Sequence, residues 1–170
     1  MYFEILRRSP RPVVSLLTPP NGQGYLLPAT NNTLLGYVRG TAMQESAVPG
    51  QAELADGSKP FAGFMTRDSQ ATGAVLGDII YPNRLELPFD AGLEGSFEFA
   101  EEVVAEGPLM IDPSITAATP LKTAISFTNG MFAVAEAGDD SQFVLVELPA
   151  PETQGYVRAR FITMAGSVHP

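Results

Sequence analysis

Apolar and polar residues alternate with a period of two along most of the chain. The alternation predicts strands over "GYVRG" (36–40), "FAGFMTR" (61–67), "AVLGDIIYP" (74–82), "NRLELPF" (83–89), "SFEFAEEVV" (96–104), "TAISFTNGMFAVAEA" (123–137), "SQFVLVELP" (141–149) and "YVRARFITM" (156–164). Gly, Pro, Asn or Asp bounds these runs, as strand ends require. About eight short strands with turn signals between them predict an all-β fold, a small sandwich or barrel.

Three runs say more. Asn129-Gly130 lies between two apolar stretches, the strongest short hairpin signal, because a type I′ turn needs positive φ at both central residues. Gly138 to Ser141 supplies the next turn, so residues 123–148 read as a three-stranded meander. In 156–164, Val157, Ala159 and Phe161 alternate with Arg158 and Arg160, which predicts one dry and one wet face.

Two stretches lack the period. Thr41 to Lys59 is small, polar and broken by Pro49-Gly50 and Asp56-Gly57, and reads as a long loop or one short helix followed by a loop. Residues 18–33 are similar, and with the stretch before them they make the first third of the chain look extended. This gives an N-terminal arm over 1–20 and a single β-rich domain over 21–170, the whole ending in a long-looped, turn-rich body.

Composition agrees with many short strands. A chain of 170 residues has about the size of one domain and can bury a core without disulfides or metal. It holds 16 Gly and 15 Pro, which suit turns and oppose long helices. Mean hydropathy is +0.08, which excludes a disordered acidic chain. Charged residues are 17%, against about 25% in an average domain, and a surface poor in charge is often one that something else covers.

The net charge of −9 is unevenly spread. From Glu86 to Glu152 Lys122 is the one base, whereas the first twelve residues hold Arg7, Arg8 and Arg11 against Glu4 alone. Such a body repels phosphate backbones, so nucleic acid is not an expected partner. The arm is the part suited to an acidic partner. No window approaches the ~18 apolar residues of a membrane-spanning helix, and the N-terminus does not read as a signal peptide, so no membrane partner is expected.

Candidate chemistry thins out on inspection. There is no Cys, which excludes zinc ribbons, redox pairs and thiol nucleophiles. The one histidine, His169, is penultimate in the chain and poorly placed for a rigid catalytic site. "AGDDSQF" lacks the alternating acids and distant Glu of a calcium loop, and "NGQGYLL" lacks the third Gly of a phosphate cradle. No cofactor or metal site is predicted.

Only "SFEFAEEVVAEGPLMID" (96–112) remains, with Glu98, Glu101, Glu102 and Glu106 and no Lys or Arg among them. Glycoside hydrolysis needs two carboxyls across a sugar, roughly 5 to 10 Å apart, usually beside aromatic platforms, and the chain has no Trp. A helix would stack Glu98, Glu102 and Glu106 at mutually repelling spacings. A strand puts Phe97, Phe99, Val103 and Ala105 on one face and Glu98, Ala100, Glu102, Val104 and Glu106 on the other, with Glu101 as the exception that a bulge absorbs. The acids then form a solvated stripe, and no catalytic residue is predicted.

The C-terminal half, "GSFEFAEEVVAEGPLMID" followed by "LKTAISFTNGMFAVAEAGDDSQFVLVEL", resembles the β-rich head decoration (cement) proteins of tailed bacteriophages. In these a Gly-rich β-domain ends in a strand-turn-strand, a short polar turn and an alternating strand, here Phe143 to Glu147. The resemblance implies a structural virion protein on the outer capsid surface, made in the host cytoplasm, homo-oligomeric, with the major capsid protein as partner. It bridges and reinforces capsid subunits. The arm "YFEILRRSPRPVVSLL" could add a strand to a partner sheet, with Tyr2, Phe3, Ile5, Arg7, Arg8 and Arg11 as partner-binding residues, or pack as the first strand of its own domain. On the first placement, deletion of residues 1–17 weakens partner binding more than folding. The alternative function is a non-catalytic receptor- or carbohydrate-binding module of a phage tail or fibre. That would call for an aromatic cluster, and Tyr25, Tyr37, Tyr81 and Tyr156 are scattered.

Overall fold

A computed structural model describes residues 2–17, 23–26, 33–67, 69–70, 89–90, 94–152 and 154–164. Among these residues the chain is all-β, with fifteen strands and no helix. Two antiparallel sheets of six and five strands face each other as an open sandwich, not a closed barrel.

The larger sheet runs β1 (Tyr2–Arg8), β11 (Ala100–Glu106), β15 (Arg158–Thr163), β14 (Phe143–Glu147), β12 (Ala124–Thr128) and β13 (Met131–Val134). The other runs β2 (Val14–Leu17), β10 (Glu94–Glu98), β7 (Phe61–Met65), β5 (Ala42–Glu45) and β6 (Ala52–Leu54). A small third sheet joins β3 (Gln23–Leu26), β4 (Thr33–Tyr37), β8 (Ser69–Gln70) and β9 (Phe89–Asp90). The strands expected over 74–82 and most of 83–89 lie outside the described residues, as do Tyr81 and His169.

Phenylalanine fills the space between the two large sheets. Phe61, Phe64, Phe127, Phe132, Phe143 and Phe161 are buried, with Phe132 stacked on Phe161 at 4.2 Å and Phe61 on Phe127 at 5.0 Å. Rings of this size dominate core energetics, and offset or edge contacts add to area burial. A second cluster, Leu16, Met43, Ala52, Ala62, Met65 and Phe97, is also buried, so "FAGFM" is dry along its whole length. A strand covered on both faces reads as an apolar run, not as an alternation.

The hairpin signal is confirmed in detail. Asn129 and Gly130 have φ of 50° and 77°, and Thr128 pairs with Met131 across the turn. Gly130 also takes an amide bond to the Ala55 carbonyl and accepts one from Ala42. The tip of this hairpin therefore ties the larger sheet to β5 and β6.

Several expectations are corrected. Residues 41–59 are not a loop or helix but the β5–β6 hairpin and its following turn, with Met43 opposite Leu54. Gln44 drives this: its buried amide donates to Glu53 and Asp56 at 2.9 Å each and accepts from the Asp56 amide, so polar residues hold a strand pair. Residues 36–40 end strand β4 and then turn, with Gly40 at φ 90°. The meander is not formed, because β14 pairs with β12 and not with β13. The outer edge of β13 is already taken by residues 110–114, through Phe132 to Met110 and Asp112 and through Val134 to Ser114.

Residues 96–104 are likewise not one strand. The chain breaks at Phe99, so β10 belongs to the smaller sheet and β11 to the larger. Phe97 faces the second cluster while Phe99 and Val103 face the main one, which undoes the common face expected for all three.

The arm follows this crossing segment. β1 pairs with β11 from Tyr2 opposite Glu106 to Arg8 opposite Ala100, the Ser9 amide donates to Phe99, and β2 pairs with β10 from Val14 opposite Phe97 to Leu17 opposite Glu94. Of the two placements open to the arm, residues 2–17 occupy the one on their own domain, closing one edge of both sheets. Phe3 meets Phe64 at 5.1 Å and lies over Gly40, where a Cβ would come 2.3 Å from the ring. Deleting 1–17 therefore removes an edge strand from each sheet, which folding cannot ignore.

Candidate functional site at the arm and the paired glutamates

The carboxylates of 96–112 stand where the arm, β11 and β15 come together. Two neighbours on opposite sides of β11 bring arginine to them: β1 carries Arg7 and Arg8, and β15 carries Arg158 and Arg160. Antiparallel register does the rest. Glu106 lies opposite Arg158, and Glu102 reaches diagonally to Arg160, as close cross-strand neighbours can.

Each acid has a cation. Arg7 Nε contacts Glu101 at 2.8 Å, and Arg8 reaches Glu98 at 3.5 Å. Arg160 donates from Nε to Glu102 at 2.5 Å and from Nη1 to Glu147 at 3.0 Å, and these bonds push its guanidinium above its ordinary pKa, Glu147 first. Arg158 contacts Glu152 and lies 3.9 Å from Glu106, while the Glu152 amide donates to Glu106 at 3.1 Å. The Tyr2 ring covers Arg158 at 4.7 Å, and the Tyr2 hydroxyl donates to Glu4.

The acids are therefore not the solvated stripe that alternation suggested. Glu106 is fully buried, and the Glu102 and Glu98 side chains are 14% and 12% exposed. The reason is that "wet" positions on a central strand are covered by long neighbours, whose charged heads replace water. Burying a carboxylate so deeply is tolerable only with a paired, hydrogen-bonded cation.

Chemically the arrangement is a set of interstrand links. Glu102 and Glu147 share Arg160, and Glu106 and Glu152 share Arg158, so a guanidinium stands where a two-carboxylate hydrolase would put its sugar. Among the described residues no three His, Asp or Glu side chains gather as a metal site would need.

The arm residues named from sequence divide clearly. Phe3 and Ile5 are half-buried against the main core. Arg7 and Arg8 are exposed in part but engaged by Glu101 and Glu98. Leu6 sits at a register shift between Ile5 and Arg7 and is 46% exposed, and Val13 is 57% exposed. Arg11 does something different: its guanidinium lies 3.8 Å over the Phe99 ring, beside a pocket of about 200 Å³.

Sequence reasoning missed Arg158 and Arg160 as partners of the acids. The signal was present, since an Arg-x-Arg strand and a Glu-x-x-x-Glu strand complement each other in antiparallel register. Thr163 and Gln142, which line the pocket, carried no signal. Tyr156 is exposed, and Tyr25 and Tyr37 fall on β3 and β4. No family model, no curated protein and no solved structure matches this chain.

Proposed function

We propose that the chain is a structural virion protein, a head decoration protein that binds the outer surface of a tailed-phage capsid and bridges capsid subunits. The observation that carries this reading is the fate of the glutamates: every acid between Glu98 and Glu106 is engaged by an arginine of the same fold. Residues that could have formed a reaction centre bind strands together instead. In this reading the protein is not an enzyme, takes no cofactor, and acts as a homo-oligomer on the major capsid protein.

Two further features support it. The charged fraction of 17% leaves much surface for a partner to cover. The exposed Leu6 and Val13 lie on the arm at the sandwich edge, next to Arg11, so apolar contact and positive charge are combined on the most basic part of an acidic chain. With β1 held on its own domain, the partner meets the outer side of the arm, not a free strand.

Cosedimentation of the purified protein with undecorated tailed-phage heads, with unrelated capsids as control, tests the reading. Saturable binding to the heads alone is expected, and weaker binding is expected for Leu6→Ser combined with Val13→Ser. Equal recovery with both kinds of capsid, or turnover of a glycan substrate that Glu102→Gln abolishes, would refute it.

A further inference from the structure

The pocket beside the arm is built from three sources. Pro10 and Arg11 come from the turn between β1 and β2, Phe61 and Phe99 from the side of the smaller sheet, and Phe143 and Thr163 from the larger. Its floor is aromatic: Phe61 and Phe99 meet edge to face at 5.7 Å, and Phe61 and Phe143 at 6.1 Å. A cavity of about 150 Å³ lined by apolar side chains holds a benzene ring. At about 200 Å³ this one has room for a ring and a short substituent.

The rim is charged in a particular way. Glu101 also lines the pocket, but Arg7 engages it, so its negative charge is compensated. No carboxylate among the described residues pairs with Arg11. One flat face of its guanidinium is stacked on Phe99, which fixes the plane and leaves the N–H edge for an acceptor. Ser9 Oγ accepts the Arg11 amide at 3.2 Å, so the hydroxyl proton at the same rim is free to donate. A planar, two-oxygen anion matches a guanidinium edge best.

We infer that this pocket binds an aromatic carboxylate: the ring enters between Phe61, Phe99 and Phe143, and the carboxylate meets the Arg11 guanidinium at the rim. The same chemistry is offered by a free aromatic acid and by a polypeptide ending in an aromatic residue with its terminal carboxylate. The inference is independent of any role on a capsid.

Phenylacetate and its neutral analogue phenylacetamide are titrated into the isotope-labelled protein and followed by NMR. Shifts confined to Arg11, Phe99, Phe143, Thr163 and their neighbours are expected, with phenylacetate bound about tenfold more tightly than the amide, as a charged hydrogen-bonded pair warrants. Arg11→Met should erase that preference and leave the thermal midpoint unchanged, because Arg11 is exposed in a turn. Gly-Gly-Phe with a free or an amidated C-terminus runs alongside: tighter binding of the free peptide than of phenylacetate assigns the chain-end source, and the reverse assigns the free acid. Equal affinity of acid and amide for the wild-type protein, shifts scattered elsewhere, or no saturable shift would overturn the inference, whatever the variant does.

Discussion

Replacing Phe3 by alanine tests whether the arm is part of the core in solution. Phe3 is half-buried, its ring centroid is 5.1 Å from that of Phe64, and it fills the space left by the missing side chain of Gly40. A fully buried Phe→Ala change costs about 3 to 5 kcal/mol, and a half-buried ring on an edge strand that can relax should lose about half of that, roughly 2 kcal/mol. In a domain of this size each kcal/mol moves the thermal midpoint by about 2 to 4 °C, so a fall of about 4 to 8 °C is expected. The assay is thermal unfolding by circular dichroism, with a urea titration to check that the slope is unchanged. Leu6→Ala is the control, because Leu6 stands out at the register shift and is 46% exposed, and it should lose less than about 0.5 kcal/mol. If Phe3→Ala behaves like Leu6→Ala, the arm is not docked on Phe64 and the reasoning fails.

Other expectations concern the polar links. Arg158→Met should destabilise by about 3 kcal/mol in urea, since it strands the buried Glu106, and adding Glu106→Gln should recover part of the loss; equal stability of single and double variants would deny that the two are coupled. Ser126→Ala should be neutral or stabilising by about 1 kcal/mol, because its buried Oγ has no partner among the described residues, and a clear loss in a urea titration would reveal one. Gly130→Ala should weaken the fold, because the added Cβ would stand 2.7 Å from Thr41 and 2.9 Å from Leu54 at a φ of 77°, and an unchanged melting temperature would show the hairpin tip to be undocked. Acid should loosen the β5–β6 turn. Lys59 and then Gln44 hold Glu53 below its ordinary 4.5, and the Ser58 hydroxyl and amide hold Asp56 below its ordinary 3.8. Both therefore bind protons more weakly folded than unfolded, so their stabilisation is present above those values and is lost as the pH falls through and below them. Ser58→Ala should reduce the dependence of stability on pH below about 4, and an identical pH profile would refute the assignment.

How much of this could be read from sequence differs from element to element, for physical reasons. The Asn129-Gly130 hairpin and the faces of β15 were legible because each is decided locally, by turn chemistry and by period two. The order of β12, β13 and β14 was not, since it depends on residues 110–114 claiming an edge about twenty positions away in the chain. Strand pairing over 42–54 was hidden because a buried Gln44 network does the stabilising that apolar alternation does elsewhere. The candidate site was half legible. The acids were conspicuous, but solvation was inferred from a single strand's pattern, and the arginines that cover them come from strands far away in sequence. The Arg11 pocket needed three separate segments to exist at all.

The pairing of residues 2–17 with 94–106 also has a consequence in time. Tyr2 leaves the ribosome 104 positions before its partner Glu106, a delay of roughly 5 to 20 s at synthesis rates of about 5 to 20 residues per second. For that interval "YFEILRR" is a strand without a sheet, and its apolar face is open to any neighbouring nascent chain. Arg7 and Arg8 then guard it by charge, before Glu98 and Glu101 exist to receive them. The same two residues serve first as solubilisers of an unfinished protein and afterwards as fasteners of the finished one.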